Sequence, residues 1–331
     1  MTTATTPDVW IYVEHLRGAV APHTYELLGK GRELAAALGG RLIAVLPGHG
    51  SRPLAGTLGA ADAVVLVEDE RLASFSAEAH GAVLAALAAG GMPHLLLCGA
   101  TSAGIDLAAH LAGALGAPMV VNARALAVDG GTVIATSQLC GGKLLCELEV
   151  APGTIVTALA GAFPADAGMS TREPQVETAE APEALRQIRT AVTRLLEPSA
   201  GDVDITRAGV LVAVGRGIQR KENLPLAEEL ATLLGGAVCA SRPVIDQGWL
   251  PLSRQVGKSG LAVKPGLYLA LGISGASEHV EGMKDAALIV AVNSDPQAPI
   301  FEVAHYGVVG DLFEVVPPLI EALKGRRAQA A

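Results

Sequence analysis

Short apolar runs alternate with longer amphipathic segments along the first third of the chain. The predicted strands are residues 9–14, 41–46, 63–67 and 94–98, and the predicted helices are residues 25–38 and 77–89. Apolar positions in the helical segments recur three or four residues apart, and a Gly-Gly pair follows each segment. Alternation of this kind is typical of βαβ units and predicts a parallel sheet with helices on both faces.

A loop of small residues at positions 99–104 lies between the fourth predicted strand and an Ala- and Leu-rich helix that ends at Leu115. A strand, a small-residue turn and the start of a helix form a backbone arrangement that can bind an anion. The same composition also suits a tight packing turn. Both interpretations stay open at the level of the sequence.

The pattern changes after residue 118. Short β-rich runs occur at residues 119–122, 132–137, 144–150 and 154–159, and Asp-Gly, Gly-Gly and Pro-Gly turns separate them. Such spacing predicts antiparallel hairpins added to the parallel sheet.

A polar segment with several prolines, residues 164–206, predicts the boundary between two domains. One helix is predicted inside it at residues 183–196, and residues 198–202 are predicted to form a linker. Beyond residue 207 the alternation of strands and helices resumes. The sequence therefore predicts an α/β protein with an N-terminal domain at 1–200 and a C-terminal, doubly wound (Rossmann-like) domain at 201–331.

Composition and charge narrow the classes of function. The chain has 331 residues, a formal net charge of -9 and no obvious basic cluster, which argues against nucleic acid as a partner. No uncharged apolar run is long enough to span a bilayer, so no direct membrane insertion is expected. Residues 1–8 lack the features of a secretory signal, and a cytoplasmic protein is expected. The four cysteines lack metal-site spacing, and no metal site is predicted.

Polar residues follow the predicted strands of the C-terminal half. Gly215-Arg216-Gly217, Ser241-Arg242 and Ser274-Gly275-Ala276 each come directly after an apolar run. Ligands of open α/β sheets bind beyond the carboxyl ends of the strands. The segment 274–276 precedes a predicted helix at residues 278–283, so its backbone N–H groups suit a pyrophosphate.

The motifs of this region follow one another in a characteristic order. They are ASRPVID at 240–246, GWLP at 248–251, QVG at 255–257, LYLALGISGA at 267–276, DPQAPIF at 295–301 and YGVVGDL at 306–312. This order resembles the C-terminal domain of the alpha subunit of electron-transfer flavoproteins, which holds FAD. Residues 9–50 also look like that family.

The resemblance implies a set of contacts to FAD and no catalytic residue. The residues concerned are Arg216, Ser241, Arg242, Gln255, Val256, Gly257, Lys258, Ser259, Ser274, Gly275, Ala276, Ser277, Glu278, His279, Asn293, Asp311 and Leu312. In the family pattern, Arg242 lies near the reactive edge of the isoalloxazine, Ser259 replaces a threonine that bonds near N5, and His279 lies near the pyrimidine carbonyl. The last three residues of the set approach the ribityl-diphosphate and the adenosine.

Four positions depart from the family pattern. Lys258 stands where glutamine is usual, Leu261 where lysine is usual, Ser277-Glu278 where Ile-Gln is usual, and His305 where aspartate is usual. One hypothesis is that Lys258 replaces the missing cation and stabilises the singly reduced, anionic flavin. Alternatively, Lys258 pairs with Glu278, or the changes are ordinary variation at loop positions.

The resemblance implies a heterodimer with a beta subunit. Its FAD would accept electrons from a flavin dehydrogenase and pass them singly to a quinone reductase or another acceptor. An NADH-dependent, electron-bifurcating complex is an alternative, because residues 26–34 and 217–223 look more like that branch and its nitrogen-fixation relatives. A flavin-less scaffold subunit and an AMP-binding module without redox function are further alternatives.

Overall fold

The computed structural model describes residues 5–195 and 203–330. Contacts between Cα atoms divide the chain into two compact units, 1–195 and 196–331. The predicted linker at 198–202 and the predicted domain boundary between residues 200 and 201 lie outside the described residues.

The first unit contains eleven described strands and four α-helices. The strands are β1 (Val9–Tyr12), β2 (His15–Leu16), β3 (Ala19–Val20), β4 (Leu42–Gly48), β5 (Ala63–Glu68), β6 (Leu95–Gly99), β7 (Met119–Asp129), β8 (Thr132–Leu139), β9 (Leu144–Val150), β10 (Thr154–Ala158) and β11 (Gln175–Thr178). The helices are α1 (Pro22–Leu38), α2 (Arg52–Ala55), α3 (Ala77–Ala89) and α4 (Ser102–Leu115).

Nine of these strands form one sheet in the order β11-β5-β4-β1-β6-β10-β7-β8-β9. The strands from β11 to β7 run parallel, and β7, β8 and β9 form an antiparallel meander. Helix α1 packs on one face of the sheet, while α3 and α4 pack on the other. Strand β1 serves both cores, because Val9 and Ile11 face α1 whereas Tyr12 faces α3 and α4.

The prediction that residues 154–159 form a hairpin strand is wrong. Strand β10 lies between β6 and β7 and runs parallel to both. All five of its residues are buried. A strand that is buried along its whole length is typical of the interior of a parallel sheet, where helices cover both faces. The Pro-Gly turn before it leads into the sheet rather than into a hairpin partner.

The helix predicted at 183–196 is also wrong over its described part. The chain forms a short 3-10 helix at Glu183–Gln187 and is irregular from residue 188 to residue 195. The carboxylate of Glu78 accepts hydrogen bonds from the backbone N–H groups of Arg189 and Thr190, at 3.0 and 2.9 Å. These bonds replace the intrahelical bonds that a longer helix would need. The polar segment predicted at 164–206 also contains, before this helix, the edge strand β11, which the sequence analysis did not predict.

The second unit contains five described strands and four α-helices. They are β12 (Val210–Val214), β13 (Ala237–Ala240), β14 (Leu267–Leu271), β15 (Ile289–Asn293) and β16 (Tyr306–Val309), with α5 (Leu224–Leu234), α6 (Arg242–Asp246), α7 (Ser277–Glu281) and α8 (Leu312–Ala330). All five strands are parallel, in the order β13-β12-β14-β15-β16. Separate hydrophobic cores cover the two faces of the sheet. The predicted fold class, α/β with a doubly wound second sheet, is confirmed.

In this strand order, the direction in which the chain adds strands across the sheet reverses between β12 and β14. From β12 the chain crosses to β13 on one side, and later to β14 on the other side. A crevice opens at such a point beyond the carboxyl ends of the strands, where doubly wound proteins bind their ligands. In the described parts of the chain, 5–195 and 203–330, no helix has the length and apolar character needed to cross a membrane.

Candidate functional site

A cavity of about 760 Å³ opens at the carboxyl ends of β12, β13 and β14. It is lined by Arg216, Gly217, Ser241, Arg242, Pro243, Gln255, Val256, Gly257, Lys258, Ser259, Gly272, Ile273, Ser274, Ala276, Glu278, His279 and Asn293. Strand ends supply one wall, and the loop at residues 255–261 supplies another. The cavity lies at the reversal point of the sheet.

Most residues that the family resemblance assigned to a ligand line this one cavity. Gly275, Ser277, Asp311 and Leu312 do not. The hydroxyl of Ser277 contacts the Glu278 carboxylate, and the carboxylate of Asp311 accepts from the Phe313 N–H in the first turn of α8. Leu312 is buried in the hydrophobic core next to the site.

Four lining residues were absent from the predicted set, namely Gly217, Pro243, Gly272 and Ile273. A Cβ atom on Gly217 would lie 2.7 Å from the Cα atom of Gly272, and one on Gly215 would lie 2.2 Å from the Gly272 carbonyl oxygen. The ends of β12 and β14 therefore approach so closely that only glycine fits. The glycines after both strands were the sequence signal for this contact.

The loop that follows β14 offers unpaired backbone donors. The N–H groups of Ser274, Gly275 and Ala276 have no hydrogen-bond partner among the described residues. The loop itself is fixed, because the Asn293 side chain donates to the Ile273 carbonyl oxygen at 2.9 Å and the Ile300 N–H donates to that of Ser274 at 3.0 Å. A fixed row of N–H groups is a suitable site for an anionic oxygen.

Cationic side chains outnumber anionic ones around the cavity. Arg216, Arg242 and Lys258 line it, and Glu278 is the one carboxylate among the lining residues. Arg242 also forms an exposed ion pair with Asp246, at 3.3 Å. Within the described part of the chain, the side chains of Lys258 and Glu278 form no ion pair, although the Lys258 N–H donates to the Glu278 carbonyl oxygen at 2.7 Å. The balance of charge favours an anionic ligand.

Ser259 presents two free donors from a loop whose other backbone N–H groups are hydrogen-bonded within the protein. The buried side chain of Gln255 donates from Nε2 to the Ser259 Oγ at 3.0 Å, which leaves the hydroxyl hydrogen free to donate elsewhere. The Ser259 N–H also has no partner among the described residues. By contrast, the N–H groups of Val256 and Leu261 bond to backbone carbonyls of Ala240 and Gln255.

Both ring nitrogens of His279 have partners inside the protein. Nε2 lies 2.9 Å from the Tyr268 hydroxyl oxygen, and Nδ1 lies 3.1 Å from the Val256 carbonyl oxygen. Burial lowers the pKa of His279 to about 4, against the opposing effect of the bond to Val256. Burial also raises the pKa of Tyr268 well above its usual value. At neutral pH the pair is thus a neutral imidazole beside a neutral phenol.

Two departures from the family pattern lie away from the cavity. Leu261 packs, partly buried, against the hydrophobic core of the second unit. The Nδ1 atom of His305 accepts from the Ile289 N–H at 3.0 Å, at the start of β15. Both residues therefore have contacts that stabilise the fold. Lys258 and Glu278 are the departures from the family pattern that line the cavity.

The loop at 99–104 in the first unit is a packed turn. The Thr101 hydroxyl donates to a Glu14 carboxylate oxygen at 2.6 Å and accepts from the Gly104 N–H at 2.9 Å. Burial alone would raise the pKa of Glu14, but hydrogen bonds from His23 and Thr101 lower it. A carboxylate of the protein thus contacts the turn, which favours the packing interpretation over an anion site.

Both units match one protein family. Residues 9–184 match the family model of the electron transfer flavoprotein domain, and residues 204–284 match that of the electron transfer flavoprotein FAD-binding domain. An electron transfer flavoprotein subunit alpha from Clostridium acetobutylicum is 37% identical, over 98% of this chain and 99% of that protein. The chain belongs to the electron-transfer flavoprotein alpha-subunit family. The resemblance seen in the sequence is confirmed.

Relatives with other names extend the family. Protein FixB from Azotobacter vinelandii is 38% identical, over 97% of this chain and 92% of that protein. The acryloyl-CoA reductase electron transfer subunit beta from Anaerotignum propionicum is 34% identical, over 96% of this chain and 95% of that protein. The matches run through both units. An electron-transfer role, as expected from the sequence, agrees with these relatives.

Proposed function

We propose that this chain binds FAD in the cavity of its second unit and serves as the alpha subunit of a heterodimeric electron carrier. The observation that carries the proposal is the cavity itself. It combines an excess of cations with unpaired N–H groups at residues 274–276, at the reversal point of a doubly wound sheet. A dinucleotide with a pyrophosphate suits these features.

The lining residues divide the work of binding. Arg216 would hold the pyrophosphate with its charged guanidinium, and residues 274–276 with their fixed backbone N–H groups. The Ser259 hydroxyl and N–H would donate to acceptor atoms of the flavin ring. Arg242 and Lys258 would stabilise negative charge on the reduced ring. When bound, FAD supplies the electron-accepting chemistry, and no side chain need act as an acid, base or nucleophile.

Partners follow from the family rather than from this chain. We propose a beta-type subunit as the dimer partner, a flavin dehydrogenase as the electron donor, and a quinone reductase or another protein as the acceptor. An NADH-dependent bifurcating complex is the second candidate, and the distinction rests on whether the partner subunit carries its own flavin.

Flavin stoichiometry and the visible spectrum of the chain, produced together with its beta-type subunit, test the proposal. One FAD per heterodimer that NADH does not reduce supports the simple electron carrier. Two FAD with bleaching by NADH support bifurcation. A colourless heterodimer that does not take up added FAD would overturn both, and uptake of AMP without FAD would indicate a nucleotide-binding module.

A pair of arginine variants tests whether FAD binds in this cavity. Arg216→Ala removes a lining cation, whereas Arg220→Ala removes an exposed cation of the same segment that does not line the cavity. FAD affinity is expected to fall by about tenfold for the first variant, the worth of one charged hydrogen bond, and to stay unchanged for the second. Equal effects would place the flavin elsewhere.

A further inference from the structure

The carboxamide of Gln255 is a buried polar group at the base of the loop at residues 255–261. The residue is 3% exposed, although it lines the cavity. Its backbone is fixed, because its carbonyl oxygen accepts from the Leu261 N–H at 2.8 Å. The N–H of Val256 then joins the loop to the end of β13 through the Ala240 carbonyl oxygen, at 3.0 Å. The side chain of Gln255 therefore starts from a rigid position.

The loop folds back onto this side chain at Gly260. A Cβ atom at position 260 would lie 2.9 Å from the Gln255 Cγ atom and closer still to the Gln255 carbonyl oxygen. This close approach brings the preceding residue, Ser259, within reach of the amide, and Nε2 of Gln255 lies 3.0 Å from the Ser259 Oγ. Among residues 5–195 and 203–330, no other polar group contacts the Ser259 side chain.

The chemistry of the two groups sets the direction of this hydrogen bond. An amide nitrogen donates and does not accept, so the Ser259 oxygen is the acceptor. A hydroxyl without a partner rotates and can present either its hydrogen or a lone pair to a ligand. The bond from Gln255 occupies one lone pair and favours the orientation in which the hydrogen points away from the amide. Because Ser259 is exposed and lines the cavity, that hydrogen is available to a ligand there.

We propose that Gln255 is a positioning residue, which orients the Ser259 hydroxyl as a hydrogen-bond donor towards the ligand. The inference rests on the proposed function, since the ligand in question is FAD and the hydroxyl is expected to donate to its ring. The family resemblance implied a contact of Gln255 itself, whereas this role passes through Ser259. It is lost when the hydroxyl at position 259 is absent.

A cycle of variants at positions 255 and 259 tests the proposal. Gln255→Glu keeps the shape of the side chain but replaces the donor with a carboxylate oxygen, which accepts the hydroxyl hydrogen and draws it away from the ligand. In a Ser259→Ala background the same change adds the same negative charge but has no hydroxyl to redirect. Gln255→Glu should therefore reduce FAD affinity by a factor about fivefold larger with serine at position 259 than with alanine, the effect of one hydrogen bond. Titration of the heterodimer with FAD measures these affinities.

Ser259→Thr is the matched control, because threonine keeps the hydroxyl. Gln255→Glu should reduce FAD affinity in that background as much as it does with serine. Equal reductions with serine, threonine and alanine at position 259 would overturn the proposal. They would show that Gln255 acts on the ligand directly or only supports the loop.

The absorption spectrum of bound FAD gives a second readout, which a general loosening of the loop would not reproduce. The spectral shift that Gln255→Glu causes should shrink in the Ser259→Ala background, because the donor to the ring is already absent there. A shift of the same size in both backgrounds would contradict the proposal.

The same measurements separate this inference from the proposed function. A wild-type heterodimer that does not bind FAD would overturn both. FAD binding without coupling between positions 255 and 259 would overturn the role of Gln255 alone.

Discussion

Lys258 is the single side chain whose chemistry most distinguishes this cavity from the family pattern. It is exposed at the cavity wall. It forms no ion pair with Glu278, the one carboxylate among the lining residues, although the Lys258 N–H donates to the Glu278 carbonyl oxygen. Among residues 5–195 and 203–330 it has no ion-pair partner, so we expect its charge to act on whatever the cavity holds. Leu261, which stands where the family pattern has a lysine, packs on the core. We therefore expect Lys258 to supply part of the missing charge.

Lys258→Gln is expected to lower the reduction potential of bound FAD, because a cation near the ring favours the negative charge that reduction brings. The shift should be on the order of tens of millivolts, as solvent screens an exposed charge. Spectroelectrochemical titration measures it. Lys264→Gln is the control, since that lysine faces Asp285 outside the cavity. Equal potentials in all three proteins would show that Lys258 does not act on the flavin.

Two buried histidines make stability depend on pH. Burial lowers the pKa of His80 and of His279 to about 4, from an ordinary value of 6.5. Between pH 4 and pH 6.5 these histidines are protonated in the unfolded chain but not in the folded chain. The free energy of unfolding therefore falls as the pH falls from 6.5 towards 4. Each histidine contributes roughly 3 kcal/mol at most.

His80→Asn is expected to reduce this loss, because asparagine does not titrate and its amide can still meet the Tyr12 hydroxyl, which lies 2.9 Å from Nδ1 of His80. Urea unfolding between pH 4 and pH 7 measures the slope. A wild-type stability that does not change over this range would contradict the assignment of buried, neutral histidines.

At the scale of elements, the turn between β14 and α7 depends on one glycine. Gly275 has a φ of +84°, and a Cβ atom there would lie 2.2 Å from the Ile300 backbone nitrogen. The conformation and the space both exclude a side chain. The unpaired N–H groups beside the cavity are presented by this turn, so its geometry decides whether they can bind an anion.

Gly275→Ala is expected to cost several kcal/mol of unfolding free energy and most of the FAD affinity. Gly248→Ala separates strain from steric clash, since Gly248 has a φ of +67° but nothing within 4 Å of the added Cβ. That variant should cost about 1 to 2 kcal/mol, the price of the left-handed backbone alone. Denaturant unfolding of both proteins gives the comparison. Equal costs would mean that the contact with Ile300 relaxes freely.

Local patterns in the sequence predicted most elements but not their neighbours. Helix α3 and strand β9 were predicted with the bounds observed, because apolar spacing and flanking glycines are local signals. Strand β10 was assigned to a hairpin, since a buried run of five residues does not reveal which strands flank it. The hydrogen bonds that the Glu78 carboxylate accepts from residues 189 and 190, just after the short 3-10 helix, join positions more than a hundred residues apart.

For the candidate site too, the sequence predicted the residues but not their contacts. Loop motifs indicated the lining residues, because each follows a strand and parallel strands end at one edge. The partners of His279 could not be predicted, since Tyr268 and Val256 reach it only through the packing of β14 and the loop. Asp311 and Leu312 were assigned to the ligand by resemblance, and the structure gives them a helix start and a core position.

At the scale of the whole molecule, the two units have separate hydrophobic cores. The candidate site is built from residues of the second unit alone. Units with their own cores can unfold in separate steps, so a single two-state transition is not expected for the full chain.

Scanning calorimetry of the full chain is expected to show two transitions, of which FAD raises one. A ligand at a hundred times its dissociation constant stabilises the unit that binds it by about 2.7 kcal/mol. The transition that moves should also be the one lowered by Gly275→Ala, while Gly29→Ala, which would bring a Cβ within 2.9 Å of Ala167 in the first unit, should lower the other. One transition that shifts as a whole would show that the units unfold together.

The position of β11 bears on how the chain folds during synthesis. Strand β5 pairs with β4 early, but its other edge waits for residues 175–178, which leave the ribosome after every other strand of the first unit. Until then the nascent chain exposes the unpaired edge of β5, a strand of mostly apolar residues. Such an edge can pair with other chains and lead to aggregation. Pairing with β11 completes the first sheet before any strand of the second has left the ribosome.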